Sequence, residues 1–175
     1  VWSLAVTNYS EKKRELTVTG YAEFTNNSNY EQDQVNLQYS QYITQTVFRG
    51  NRVRQMIHAN LDRLEEGENI DNKNVFNRFF GLAGADVNSW CGDKESFLGR
   101  YHGYNNPEGV ITGELSNKGN YNENSCGALS TVLSLAPGET KEITFLVGMK
   151  GDAEAGEIVE HYKNCQDVCK RELEE

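Results

Sequence analysis

The residues best suited to chemistry are few. Four cysteines (Cys91, Cys126, Cys165 and Cys169) and three histidines (His58, His102 and His161) supply every thiol and imidazole of the chain. A spacing of four places His161, Cys165 and Cys169 on one helix face, which could offer three soft ligands to a metal. The same stretch carries Ile158, Tyr162, Val168 and Leu173 at i, i+3 and i+4 spacing, the mark of a buried apolar stripe. The stripe is the preferred account, with cysteine as a small hydrophobe, because one helix rarely supplies a whole zinc site. No metal is therefore expected. Four cysteines allow three disulfide pairings, but no Cys-x-x-Cys occurs and no signal-peptide pattern is visible. Reduced thiols in a cytoplasmic protein are expected.

Acids are plentiful, and Asp33, Asp93 and Glu95 are examples of carboxylates near apolar runs. Two carboxylates run glycoside chemistry only when their surroundings separate their pKa values, and nothing here singles out such a pair. The chain also lacks Gly-x-Ser-x-Gly, His-Glu-x-x-His, a P-loop and a dinucleotide fingerprint. No catalytic residue is assigned. The stretch 86–109 is the most informative one. There Trp90, Phe97, Tyr101 and Tyr104 interleave with Asp, Asn, Arg and His. Aromatic faces beside hydrogen-bonding groups suit sugars, since a ring stacks on C–H groups while polar atoms take the hydroxyls. The plainer account, that these aromatics pin a long loop to the body of the domain, is favoured on composition. Two Asn-x-Ser sequons, at Asn8 and Asn26, would matter only in a secreted protein.

These side chains must be positioned by a β-rich body. Alternation predicts strands over 1–8 and 14–24, the second with Leu16, Val18, Gly20, Ala22 and Phe24 on one face. It predicts a hairpin from 35–48 and 52–59 about a Gly50-Asn51 turn. Further strands are predicted over 75–82, 110–115, 127–135 and 140–148, with a Pro137-Gly138 turn before the last. Stretches 25–33, 61–73 and 83–109 read as loops. From Asp152, a plausible N-cap, the pattern becomes helical and runs to Glu175 without a stop signal. The expected fold is all-β, an antiparallel β-sandwich over 1–150 followed by a C-terminal helix over 151–175. Val1 enters in strand pattern and Glu175 leaves in helix pattern, so an excised piece with an unpaired sheet edge is expected.

Composition narrows the function classes. The 175 residues carry 26 acidic and 17 basic side chains, a net charge of −9. An acidic chain without a basic block is a poor nucleic-acid partner. No run approaches the length of a membrane-spanning helix. Aromatics at 10% argue against disorder.

An ordered series of motifs then points to a family. Phe97-Leu98-Gly99-Arg100-Tyr101, with Asp93 before it and Asn106-Pro107-Glu108 after it, resembles the N-terminal domain of the cellobiose/chitobiose phosphorylases, glycoside hydrolase family ninety-four. The resemblance extends upstream through Val6-Thr7-Asn8-Tyr9-Ser10, Glu15-Leu16-Thr17-Val18, Tyr21-Ala22-Glu23-Phe24 and Asn36-Leu37-Gln38. It extends downstream through Cys126-Gly127-Ala128-Leu129, Leu135-Ala136-Pro137-Gly138-Glu139, Lys141-Glu142-Ile143 and Phe145-Leu146-Val147-Gly148. The family implies a supersandwich of the galactose-mutarotase-like kind, a helical linker and an (α/α)6 barrel. It implies inverting cleavage of a β-glycoside by inorganic phosphate to an α-sugar 1-phosphate, with no other cofactor and with the catalytic Asp in the barrel. This chain would then be the non-catalytic sandwich, supporting the barrel and a homodimer. Gln38 and Tyr39 are the residues the resemblance offers as sugar contacts, although Tyr39 stands where the family often has Arg. The alternatives are a free-standing carbohydrate-binding β-sandwich and a structural β-sandwich without ligand.

Overall fold

In the computed structural model, residues 1–25, 35, 41–42, 44–57, 77–163, 168 and 171–172 are described. Their alternating sequences build eight strands: β1 (Trp2–Thr7), β2 (Arg14–Glu23), β3 (Thr44–Phe48), β4 (Arg52–Ile57), β5 (Arg78–Ala83), β6 (Ser89–Asp93), β7 (Ser125–Leu135) and β8 (Thr140–Met149). Among the described residues, three continuous helices accompany them: α1 (Lys94–Leu98), α2 (Glu108–Ile111) and α3 (Asp152–His161). The strands form a five-stranded sheet in the order β1-β8-β5-β4-β3 and a three-stranded sheet in the order β2-β7-β6. Every strand pair is antiparallel. The predicted antiparallel sandwich with a C-terminal helix is the fold observed.

Sheet register explains the core. Leu82 stands opposite Phe145, and Phe80 lies two residues before Leu82, so these three side chains share the inner face of the larger sheet. They meet Leu129, Leu133 and Leu135 of β7 and Phe24 beyond β2 in one buried cluster. Phe80 and Phe145 stack with ring centres 5.6 Å apart. Strand β8 reads as buried on both faces, and Ile143, Thr144, Phe145 and Leu146 are all buried.

The two outer faces are covered differently. Helix α3 lies on the larger sheet, where Ala155 and Val159 pack on Phe79, Ala83 and Leu146. Its close approach needs Gly81, since a Cβ there would fall 2.7 Å from Val159 Cγ2. On the smaller sheet, the excursion containing α1 and α2 packs Phe97 and Leu115 onto Cys91, Cys126 and Ala128. One side of the sandwich is stitched by residues 117–122. Thr46 N–H donates to Asn120 O (2.9 Å), Gly92 N–H to Lys118 O (2.9 Å) and Asn117 N–H to Trp90 O (2.8 Å). On the opposite side, β1 and β2 each have a single strand partner among the described residues, and Trp2 and Leu4 are exposed.

Sequence signals hold where they are strictly local. The Gly50-Asn51 hairpin turn has φ of 37° and 33°, the left-handed pair that a two-residue hairpin loop requires. Gly138, after Pro137, has φ of 74°. Other expectations are corrected. Residues 110–115 form no strand: α2 starts behind Pro107, which caps it without donating an N–H, and Leu115 is buried after it. Within the stretch 35–48, the described residues Val35, Gln41 and Tyr42 are helical rather than strand, and β3 begins at Thr44. The supposed loop 83–109 contains β6 and α1. Gly151 rather than Asp152 is the N-cap of α3, and that helix ends at His161 with Tyr162 as C-cap.

Asn8 fixes the end of the sandwich. It is buried, and its Nδ2 donates to Lys12 O (2.8 Å), Leu135 O (3.0 Å) and Ala136 O (3.1 Å). Its Oδ1 accepts from Ser10 N–H (3.0 Å) and Ser10 Oγ (2.7 Å). A glycan at this sequon would take one of the two Nδ2 hydrogens that hold the Lys12, Leu135 and Ala136 carbonyls. Asn8→Ala orphans two turns at once and is expected to cost about 2 kcal/mol, read as a lower midpoint in urea unfolding. Asn26, the other sequon, lies outside the described residues.

Candidate functional site

The aromatic stretch forms a lobe on the outer face of the smaller sheet. Asp93 opens α1, its Oδ1 accepting Ser96 N–H at 2.6 Å. Gly99 closes it with φ of 84° and its N–H on Glu95 O. A Cβ at Gly99 would fall 2.3 Å from Glu108 Oε2, so the start of α2 is held against the end of α1. Phe97 is 3% exposed and stacks on Tyr21 of β2 with ring centres 4.4 Å apart. Trp90 stacks on Phe48 at 5.3 Å, bridging the two sheets. Phe97 thus pins the lobe to the sandwich, as composition favoured, while Trp90 joins the two sheets.

A charged latch completes the attachment. Glu23, at the end of β2, accepts hydrogen bonds from Tyr21 (3.0 Å), from Tyr104 of the lobe and from Lys94 Nζ (3.3 Å). Lys94 also lies over the Tyr104 ring, 5.3 Å from its centre. Burial alone would raise the Glu23 pKa, but the two phenols and the ammonium together hold it below the ordinary carboxylate value. Burial, with the Cys126 thiol and Glu23 beside it, drives the Tyr21 phenol upward, so it stays a donor. The latch is not legible in the sequence, because its members come from β2, α1 and the 99–107 turn.

What remains free is the tip of the lobe. Tyr101 is 88% exposed, with Arg100 over its ring at 5.7 Å. The turn beneath it is ordered: His102 Nδ1 lies 3.1 Å from Asn106 O, and Gly103 N–H donates to Asn106 Oδ1 at 3.2 Å. An exposed ring, a guanidinium and an imidazole on a rigid base can stack on a sugar and take its hydroxyls.

The other sequence candidates fare as follows. Gln38 and Tyr39 lie outside the described residues, as do Asp33, His58, Cys165 and Cys169. His161 is exposed on α3, while Ala155 and Val159 form its buried stripe. Among the described residues, no group of three or more His, Cys, Asp or Glu side chains is placed to hold a metal. No described helix is long and apolar enough to cross a membrane. Asp93 is buried as a helix cap, not paired with Glu95 for acid–base work; its carboxyl neighbour is Glu123, whose pKa is raised by a shared hydrogen bond and by the like charge. One further cluster has no motif in the sequence. Asp152 receives Arg49 Nη1 (2.9 Å) and Arg52 Nη2 (2.6 Å), with Arg54 Nη1 at 3.3 Å, tying α3 to the β3–β4 hairpin. Its only sequence signal is Arg52 and Arg54 at alternate positions of one strand.

Known proteins are similar to this chain. N,N'-diacetylchitobiose phosphorylase of Vibrio proteolyticus is 28% identical over 170 residues, which is 96% of this chain and 19% of that protein. N,N'-diacetylchitobiose phosphorylase of Vibrio furnissii is 29% identical over 155 residues, 88% of this chain and 18% of that protein. The chain thus spans about a fifth of the length of the curated relatives it matches. The family model described as "Glycosyl hydrolase 94, supersandwich domain" matches residues 1–165. With the antiparallel sandwich and its C-terminal helix in place, that match over most of the length makes the chain a member of the glycosyl hydrolase 94 supersandwich family.

Proposed function

We propose that this chain is the non-catalytic sandwich domain of an inverting glycoside phosphorylase. The parent enzyme cleaves β-linked N-acetylglucosaminyl or glucosyl oligosaccharides with inorganic phosphate, releasing an α-sugar 1-phosphate. One observation carries this reading: nearly the whole chain aligns with a fifth of proteins named N,N'-diacetylchitobiose phosphorylase. On this reading, residues 1–150 are the sandwich and 151–175 begin the helical link to an (α/α)6 catalytic barrel. Phosphate is the co-substrate, no cofactor takes part, and the parent is a cytoplasmic homodimer.

The chain's own contribution is positional. The lobe tip around Tyr101 supplies a stacking face for a sugar, and Gln38 and Tyr39 are further contacts. Phosphorolysis of N,N'-diacetylchitobiose and cellobiose by the 175-residue chain and by the full-length natural protein tests the assignment. Sugar 1-phosphate from the full-length protein alone supports it, and release by the short chain overturns it. Saturable glycan binding by the chain, with no phosphorolysis by the longer protein, supports the binding-module alternative instead.

Tyr101→Ala is expected to raise KM for the oligosaccharide about three- to tenfold in the full-length enzyme, the worth of one stacked ring. Thermal stability should not change, because the side chain is exposed. An unaltered KM would remove Tyr101 from the sugar path.

A further inference from the structure

Two thiols that take no part in the sugar reading are neighbours in the core. Cys91 on β6 and Cys126 on β7 are both fully buried and free. Cys91 stands opposite Ala128, and Asp93 opposite Ser125. Two residues of β7, Cys126 and Gly127, therefore face the single Gly92 of β6, which is a bulge. In a regular ladder, diagonal side chains on one face stand about 7–8 Å apart at the backbone. Across the bulge, Cys126 Sγ lies 3.8 Å from Cys91 O.

The two sulfurs are not equivalent. Ser116 Oγ donates to Cys91 Sγ at 3.2 Å, and Cys91 Sγ lies 3.1 Å from Asp93 O. The Cys126 thiol hydrogen-bonds to Cys91 and, against burial and with help from Ser116, brings the Cys91 pKa down to about 7. The same contact, with burial, pushes Cys126 up, so that it keeps its proton. Phe97 and Leu115 of the lobe complete the shell around the pair.

We propose that Cys91 and Cys126 are an oxidation site, a dithiol that a hydroperoxide converts to an intramolecular disulfide stapling β6 to β7 beneath the lobe. The Cys91 thiolate attacks the peroxide oxygen and the O–O bond breaks. With hydrogen peroxide, Cys91 becomes a sulfenic acid and one water leaves. The Cys126 sulfur then attacks the Cys91 sulfur, the S–O bond breaks, and the Cys126 proton departs with the hydroxyl as a second water. Two thiols lose two electrons, and one peroxide gains them. Entry of the oxidant requires the lobe to lift, so the latch at Glu23 sets the rate.

The test treats the full chain with hydrogen peroxide at neutral pH, alkylates it with iodoacetamide in denaturant, and digests it without reductant. The expected result is a linked pair of peptides containing Cys91 and Cys126, about 2 Da lighter than the two thiols and separated by dithiothreitol. Cys126→Ser should abolish the link and leave Cys91 as a sulfenic acid that dimedone traps. Glu23→Gln should accelerate formation of the link. Recovery of Cys91 and Cys126 as alkylated thiols, or linkage of either to Cys165 or Cys169, overturns the proposal. The peptide map of the wild-type chain decides between these results even if a variant fails to fold.

Discussion

Asp152→Ala is expected to lower the free energy of unfolding by about 3 kcal/mol and to free α3 from the larger sheet. Asp152 is the first residue of α3 and the shared acceptor of Arg49 and Arg52, with Arg54 close by. The Arg54 side chain is fully buried and that of Arg52 is 14% exposed, so both lose a carboxylate partner where water enters poorly. Removing one partner of a buried pair costs about 3–5 kcal/mol, and the partial exposure of Asp152 places it at the low end. For a chain of this size the melting temperature should fall by roughly 6–12 °C.

The same cluster makes stability depend on pH. Burial raises the Asp152 pKa, but hydrogen bonds from Arg52 and Arg49 and the charge of Arg54 win and hold it below 3.8. The unfolded chain therefore takes up the proton first as pH falls. The contribution is complete above about pH 4 and is lost as pH drops through the lower, folded value. Asp152→Asn should flatten that part of the acid limb while keeping the side-chain shape. Urea unfolding of both variants from neutral to acid pH is the measurement. A loss under about 0.5 kcal/mol for Asp152→Ala would show that the apolar contacts of α3 suffice.

Phe80→Ala is expected to cost about 4 kcal/mol. Phe80 is fully buried between the sheets, stacked on Phe145 and 6.1 Å from the ring of Trp2. Its Cβ lies 2.5 Å from where Gly127 would carry one, so the backbone of β7 is already as close as it can come. Neighbours pressed this tightly cannot close the space left by the ring, which puts the cost in the upper half of the range for such truncations. Phe80→Leu should cost about 1.5 kcal/mol, since most of the volume stays. In urea both variants should shift the midpoint without changing the slope. A small effect for Phe80→Ala would mean that the two sheets move together.

The alternation of Leu16, Val18, Gly20 and Ala22 is enough to define β2 and its inward face, because pleat direction is a property of each residue and the next. The Gly50-Asn51 and Pro137-Gly138 turns are legible for the same reason: positive φ and a fixed proline ring are local facts. The family too is written in the order of short motifs. Residues 110–115 mislead because Val110, Ile111 and Thr112 are β-branched strand formers, whereas α2 follows Pro107 with Gly109 buried against Leu115 and Phe97. Tertiary structure alone decides which aromatics are anchors and which is free: Phe97 stacks on Tyr21, 76 residues before it in sequence, while Tyr101, four residues later, meets solvent. It alone joins Asp152 to three arginines about a hundred residues away, and Cys91 to Cys126 across a bulge. Sequence thus determines which residues face inward along each strand, since that repeats every two residues. Partnership between distant groups depends on strand order and register, which are fixed only when the sheets pair and the core closes.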